Sequence, residues 1–114
     1  MVMNLSEWLG KEHLATVLRS EQPQIVLFAA NWCGYCSRFI QLVRNVDSEY
    51  NERINLVDAD EPDESLWDIY SINLVPTLVV IDHGKEIMRR EGRIGVGLRQ
   101  DDLLAAIQAA TTPR

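Results

Sequence analysis

The chain holds two cysteines, Cys33 and Cys36, set three positions apart in the run Asn31-Trp32-Cys33-Gly34-Tyr35-Cys36. Residues i and i+3 of a helix are neighbours, with about 5 to 6 Å between Cβ atoms. A disulfide needs a Cα separation of about 4.4 to 6.8 Å, so a pair placed this way can open and close an S–S bond with little backbone movement. The spacing therefore predicts redox chemistry. If Cys33 caps the helix, the unpaired backbone N–H groups and the positive end of the helix dipole favour a negative sulfur there. That makes Cys33 the nucleophile and Cys36, one turn further in, the resolving thiol.

The flanking sequence supplies the elements that must hold this pair. Ile25-Val26-Leu27-Phe28-Ala29-Ala30 reads as a strand buried on both faces, as in parallel sheets. After Cys36, the apolar residues Phe39, Ile40, Val43, Val46 and Tyr50 recur at spacings of three and four, opposite a polar face of Ser37, Arg38, Gln41, Arg44 and Asp47. Arg53 to Asp58 reads as a second strand, parallel to the first because the helix between them provides the crossover. Asp60 caps a short helix that has Pro62 in its first turn and buries Leu66, Trp67, Ile69 and Tyr70. Thr77 to Ile81, the turn Asp82-His83-Gly84-Lys85 and Glu86 to Arg90 form an antiparallel hairpin. Gly92, Gly95 and Gly97 mark a connection, and Gln100 to Ala110 closes the chain as a helix with Leu103, Leu104 and Ile107 inward. Upstream, Met1 to Leu5 reads as an edge strand and Lys11 to Ser20 as a helix ended by Pro23. The fold class is α/β: a βαβ unit, a helix, a β-hairpin and a C-terminal helix make a central mixed β-sheet flanked by helices on both faces.

With 114 residues and 46% hydrophobic content, residues 1–114 read as one domain that buries about two thirds of its unfolded surface without covalent staples. Two close cysteines near a βαβ pattern point to catalysis in a reducing compartment and not to a secreted framework. No basic segment followed by an apolar stretch opens the chain, and no apolar run would span a bilayer, so a cytoplasmic location and no membrane partner are expected. A net charge of -6 is the wrong sign for a nucleic-acid partner. Zinc wants four ligands, and only the well-separated His13 and His83 could join the cysteines, so no metal site is expected. The acidic run Asp58 to Asp68 reads as a solvated face. Lys85, Arg89, Arg90, Arg93 and Arg99 form an opposing basic cluster that reads by default as a solvated strand, and would favour acidic clients if Arg93 flanks a groove.

The segment Phe28-Ala29-Ala30-Asn31-Trp32-Cys33-Gly34-Tyr35-Cys36 strongly resembles the active-site segment of the thioredoxin family, and Val75-Pro76-Thr77 resembles its cis-proline loop. The similarity runs from about Pro23 to Ala110. It implies the thioredoxin fold and a thiol-disulfide oxidoreductase acting on protein disulfides, with Cys33 and Cys36 as the catalytic couple and no bound cofactor beyond their redox-active disulfide. It also implies a cis bond before Pro76 and a Val75 backbone offered to a substrate peptide. Trp32, Gly34, Tyr35, Gly92 and Arg93, with Ile94, would complete the substrate groove. The partners implied are protein substrates with disulfides, met by a monomer, and an upstream reductase or small-molecule thiol; reductase and isomerase directions both stay open. So do two rival readings: a client-binding or chaperone module without efficient turnover, and metal or cluster binding through the cysteine pair.

Three departures from the family pattern carry expectations. Thioredoxins usually place a buried Asp one position before the strand Phe and a Lys on the neighbouring strand; the matching residues here are Leu27 and Leu56. Without that carboxylate nothing opposes a thiolate at Cys33, so the reduced form gains stability and the pair becomes more oxidising. The same loss removes a base for Cys36 and should slow release of mixed disulfides. Tyr35 replaces the usual Pro, giving a Cys-Gly-Tyr-Cys that looks more like bacterial disulfide isomerases. Gln41 replaces the helix-kinking Pro, predicting a straighter helix.

Overall fold

A computed structural model describes residues 19–30, 33–45, 54–58 and 72–111. Strand β1 (Gln24–Ala29), helix α1 (Gly34–Arg44) and strand β2 (Ile54–Asp58) form the βαβ unit; β3 (Thr77–Asp82), β4 (Lys85–Glu91) and α2 (Gln100–Thr111) follow. The sheet runs β2-β1-β3-β4. β1 pairs in parallel with β2 and antiparallel with β3, so the sheet is mixed and β1 lies inside it. That position explains its unbroken apolar run: Ile25 to Ala29 are buried on both faces.

The hairpin turn is tighter than expected. Its strands extend to Asp82 and Lys85, which pair with each other. Only His83 and Gly84 remain between them, at φ 52 and φ 80, the paired positive values of a two-residue turn whose twist matches the strands. A register shift between Val80 and Ile81 bulges the hairpin.

One face of the sheet carries both described helices. Ile25, Leu27 and Leu56 meet Phe39 and Val43 of α1 and Leu103 of α2 in one buried cluster. Each such side chain contributes about 1.5 to 3 kcal/mol on full burial. The opposite face, with Val26, Phe28, Val57, Val79 and Ile81, is buried too and is joined by Ile72. The expected upstream strand and helix, the helix after Asp60, and His13 and Trp67 lie outside the described residues.

One core expectation is corrected. Leu104 is 49% exposed, because the inward stripe of α2 passes through Leu103, Ala106, Ile107 and Ala110 and leaves its neighbour outside. Among the described residues no helix is long and apolar enough to cross a membrane.

Candidate active site

Helix α1 starts where the sequence places it. Cys33 is its N-cap, in an extended conformation at φ -101 and ψ 114, and its Sγ accepts a hydrogen bond from the Cys36 N–H at 3.1 Å. The sulfur thus occupies the position that a Ser or Asp oxygen takes at other helix starts, among donors that favour negative charge. The Cys33 N–H donates to the Ala30 carbonyl at 3.2 Å, tying the helix start to the end of β1. The helix continues without interruption through Gln41 to Arg44, and Cys36, Phe39, Ile40 and Val43 are buried along it. Val46, Asp47 and Tyr50 lie outside the described residues.

Cys33 and Cys36 are not joined by a disulfide in this structure. Cys36 is fully buried and Cys33 retains 8% of its surface, so the two differ in the expected direction, but Cys33 lies deeper than the part exposure that its position at a helix start suggests. The Val75 backbone accounts for some of that cover: the Cys33 Sγ lies 3.8 Å from its carbonyl oxygen, across 42 positions of sequence. The Val75–Pro76 peptide bond is cis. The Thr77 hydroxyl donates to the Leu74 carbonyl at 2.7 Å and closes the loop around Pro76. On the other side the Gly92 N–H donates to the Pro76 carbonyl at 2.9 Å. A Cβ on Gly92 would sit 3.2 Å from both the Pro76 ring and that carbonyl, a tight fit that would make Pro76 give by a few tenths of an ångström.

Beside Val75 and Pro76 opens a cleft of about 430 Å³, walled by Tyr35, Leu74, Gly92, Arg93 and Gly97 among others. Tyr35 lies against Gly97 and has the Arg38 guanidinium 5.5 Å from its ring centre. Ile94 stands 98% exposed at the rim. Of the residues expected in the groove, Tyr35, Val75, Pro76, Gly92 and Arg93 come together here. Gly34 is exposed on the first turn of α1 but is not among the residues lining the cleft. Trp32 lies outside the described residues.

Arg93 flanks the cleft, and its charge there is paired. Its Nη2 donates to the Asp102 Oδ2 at 3.1 Å, and Asp102 is buried at 1% exposure. Sequence reasoning missed Asp102, as well as the wall formed by Leu74 and Gly97. A signal for Asp102 existed: an acidic residue at the third position of a helix is where a carboxylate reaches back to the N-cap N–H. With Arg in place of the usual Ser or Thr at the cap, half of that pattern is absent.

Behind the sulfurs the environment is apolar. Leu27 and Leu56 are register partners on adjacent parallel strands, 0% and 1% exposed, in the same buried cluster as Cys33 and Cys36. Among the described residues no group of three or more His, Cys, Asp or Glu side chains could hold a metal ion.

A mixed sheet that hands β1 over to a cysteine-capped helix beneath a cis-proline loop defines the thioredoxin-fold class. A family model described as Thioredoxin matches residues 5–109, and the chain belongs to the thioredoxin family. The chloroplastic thioredoxin Y of Oryza sativa subsp. japonica is 29% identical over 93 residues, covering 81% of this chain and 55% of its own length. The chloroplastic thioredoxin X of Arabidopsis thaliana is 33% identical over 86 residues, covering 73% of this chain and 47% of its own. The chain thus spans about half the length of these two relatives. In structure, spinach chloroplast thioredoxin F in its short form superposes with a TM-score of 0.74 over 91% of both chains at 23% identity, a likeness of fold.

Proposed function

We propose that this protein catalyses thiol-disulfide exchange on protein substrates. The Cys33 thiolate attacks a substrate disulfide, forming a mixed disulfide beside Pro76 and expelling one substrate thiolate. The Cys36 sulfur then attacks Cys33, frees the second substrate thiol and leaves a Cys33–Cys36 disulfide. Two electrons and two protons pass to the substrate. A separate dithiol reductase or a small-molecule thiol returns the pair to the dithiol, which suits a reducing compartment such as the cytoplasm.

One observation carries this reading: the Cys33 Sγ caps α1 while lying 3.8 Å from the Val75 carbonyl, at the edge of an open cleft. A peptide laid along Val75 would bring its own sulfur to that edge. Reduction of insulin by dithiothreitol, followed by turbidity, tests it. The wild type should accelerate precipitation and Cys33→Ser should abolish the acceleration. A module that only binds clients would hold the peptide and leave its disulfides intact.

A further inference from the structure

Asp102 is a buried carboxylate that the exchange chemistry does not use. Its Oδ2 accepts the Arg99 N–H at 2.7 Å, which satisfies the start of α2. Two guanidinium groups converge on it as well: Arg93 Nη2 at 3.1 Å from Oδ2 and Arg90 Nη1 at 3.6 Å from Oδ1. A helix cap needs neither. Both arginines keep about half of their side-chain surface in solvent, at 46% and 51%, while their guanidinium groups reach the carboxylate.

The segment that Arg93 tethers is buried at its ends, Gly92 and Gly97, and little packed at its tip. Three of its residues, 92, 95 and 97, are glycine, and Ile94 is 98% exposed. Its internal order is a closed turn: the Arg93 N–H donates to the Gly97 carbonyl at 3.1 Å, and the Gly97 and Val96 N–H groups donate to the Arg93 carbonyl at 2.7 and 2.9 Å. Gly97 then lies flat on Tyr35, so close that a Cβ would stand 2.9 Å from the Tyr35 Cβ. Contact therefore runs from Asp102 through Arg93 and Gly97 to Tyr35, between the two cysteines.

We infer that Asp102 is a positioning residue for the substrate groove, fixing through Arg93 the 92–97 segment and the Tyr35 wall against which a client docks. The inference rests on the groove of the proposed function. With the tether cut, a docking client must order the segment itself, which weakens binding and leaves the sulfur chemistry in place.

The test uses Asp102→Asn, which keeps an acceptor for the Arg99 N–H but removes the charge that both arginines face; Asp102→Ala is the stronger variant. Three readouts are compared with wild type: kcat and KM for insulin, the rate with the small disulfide dithiobis(nitrobenzoate), and hydrogen exchange at the Arg93, Val96 and Gly97 amides. We expect KM for insulin to rise about tenfold and kcat to stay within about twofold. The small-disulfide rate should hold, and exchange should quicken in the segment but not in β1 or β3. Wild-type exchange in the segment overturns the inference, as does a loss of kcat and small-disulfide rate together with KM. If the wild type fails to reduce insulin, the proposed function falls, and the exchange measurement still decides whether Asp102 orders the segment. If Asp102→Ala does not fold, Asp102→Asn decides alone.

Discussion

Two regions flank the cysteine pair, and they treat charge in opposite ways. Behind the sulfurs, Leu27 and Leu56 sit side by side on β1 and β2 in a buried apolar cluster, where thioredoxins usually bury an Asp and a Lys. Behind the groove, Asp102 is as deeply buried, yet it is met by Arg90, Arg93 and a backbone N–H. A buried carboxylate costs several kcal/mol unless its lone pairs are met, so the second site is stable only as a set. The first has no such requirement. Charge near a thiolate changes its chemistry, whereas charge behind a loop changes only its geometry, and this chain keeps the second kind.

Breaking the apolar side should have the largest effect. Leu27→Asp places a carboxylate in a 0% exposed position opposite Leu56 with no partner, and we expect a loss of about 2 to 4 kcal/mol in urea denaturation. Adding Leu56→Lys should recover part of it, since the two would pair across adjacent strands; no recovery would mean that they do not meet. On the loop side, Gly97→Ala meets two obstacles, a φ of +75 and the Tyr35 ring. The expected cost is about 1 to 2 kcal/mol, of which Tyr35→Ala in the same chain should return only the part owed to the ring, since the Tyr35 Cβ at 2.9 Å and the positive φ both remain.

The smallest effect belongs to exposed charge. Glu86 is held below its ordinary pKa by its hydrogen bond to Arg89, with desolvation opposing and the Arg89 charge assisting. A lowered carboxylate pKa stabilises the fold above the unfolded value, and the gain is lost as pH falls through the folded one. Because the Glu86 side chain is 45% exposed, water screens the pair. Glu86→Gln should therefore change neutral-pH stability by less than about 0.5 kcal/mol and flatten its acid-range decline slightly. A larger loss would show that the pair holds the hairpin.

The apolar side was legible in the sequence and the charged side was not. The run Ile25 to Ala30 announces a central strand, and the crossover helix fixes β2 as its parallel neighbour. The match of Leu27 with Leu56 follows from the family pattern and recurs as a register pair. Cys33 at the cap likewise follows from the change of period after Ala30. Asp102 gives only half of a capping-box signal, since the cap is Arg99, and Asp101-Asp102 at a helix start otherwise reads as ordinary dipole complementation. Its partners come from β4 and from the glycine segment, and only the tertiary fold brings them together. The contact between Tyr35 and Gly97 is hidden for the same reason, since a glycine in a connection reads as freedom and not as a surface for a ring. The depth of Cys33 depends on the Val75 carbonyl, whose approach to the sulfur is a product of loop geometry.

The redox potential of the Cys33–Cys36 pair, measured by equilibration in glutathione buffers and alkylation of the remaining thiols, tests the role of the apolar cluster most directly. Thioredoxin itself poises near about -270 mV. With Leu27 and Leu56 behind the sulfurs, the pair should lie above that value, and Leu27→Asp should move it back towards the reducing side. A wild-type potential at or below that of thioredoxin, or one that Leu27→Asp leaves unchanged, would contradict the link between the buried leucines and the chemistry of the cysteines.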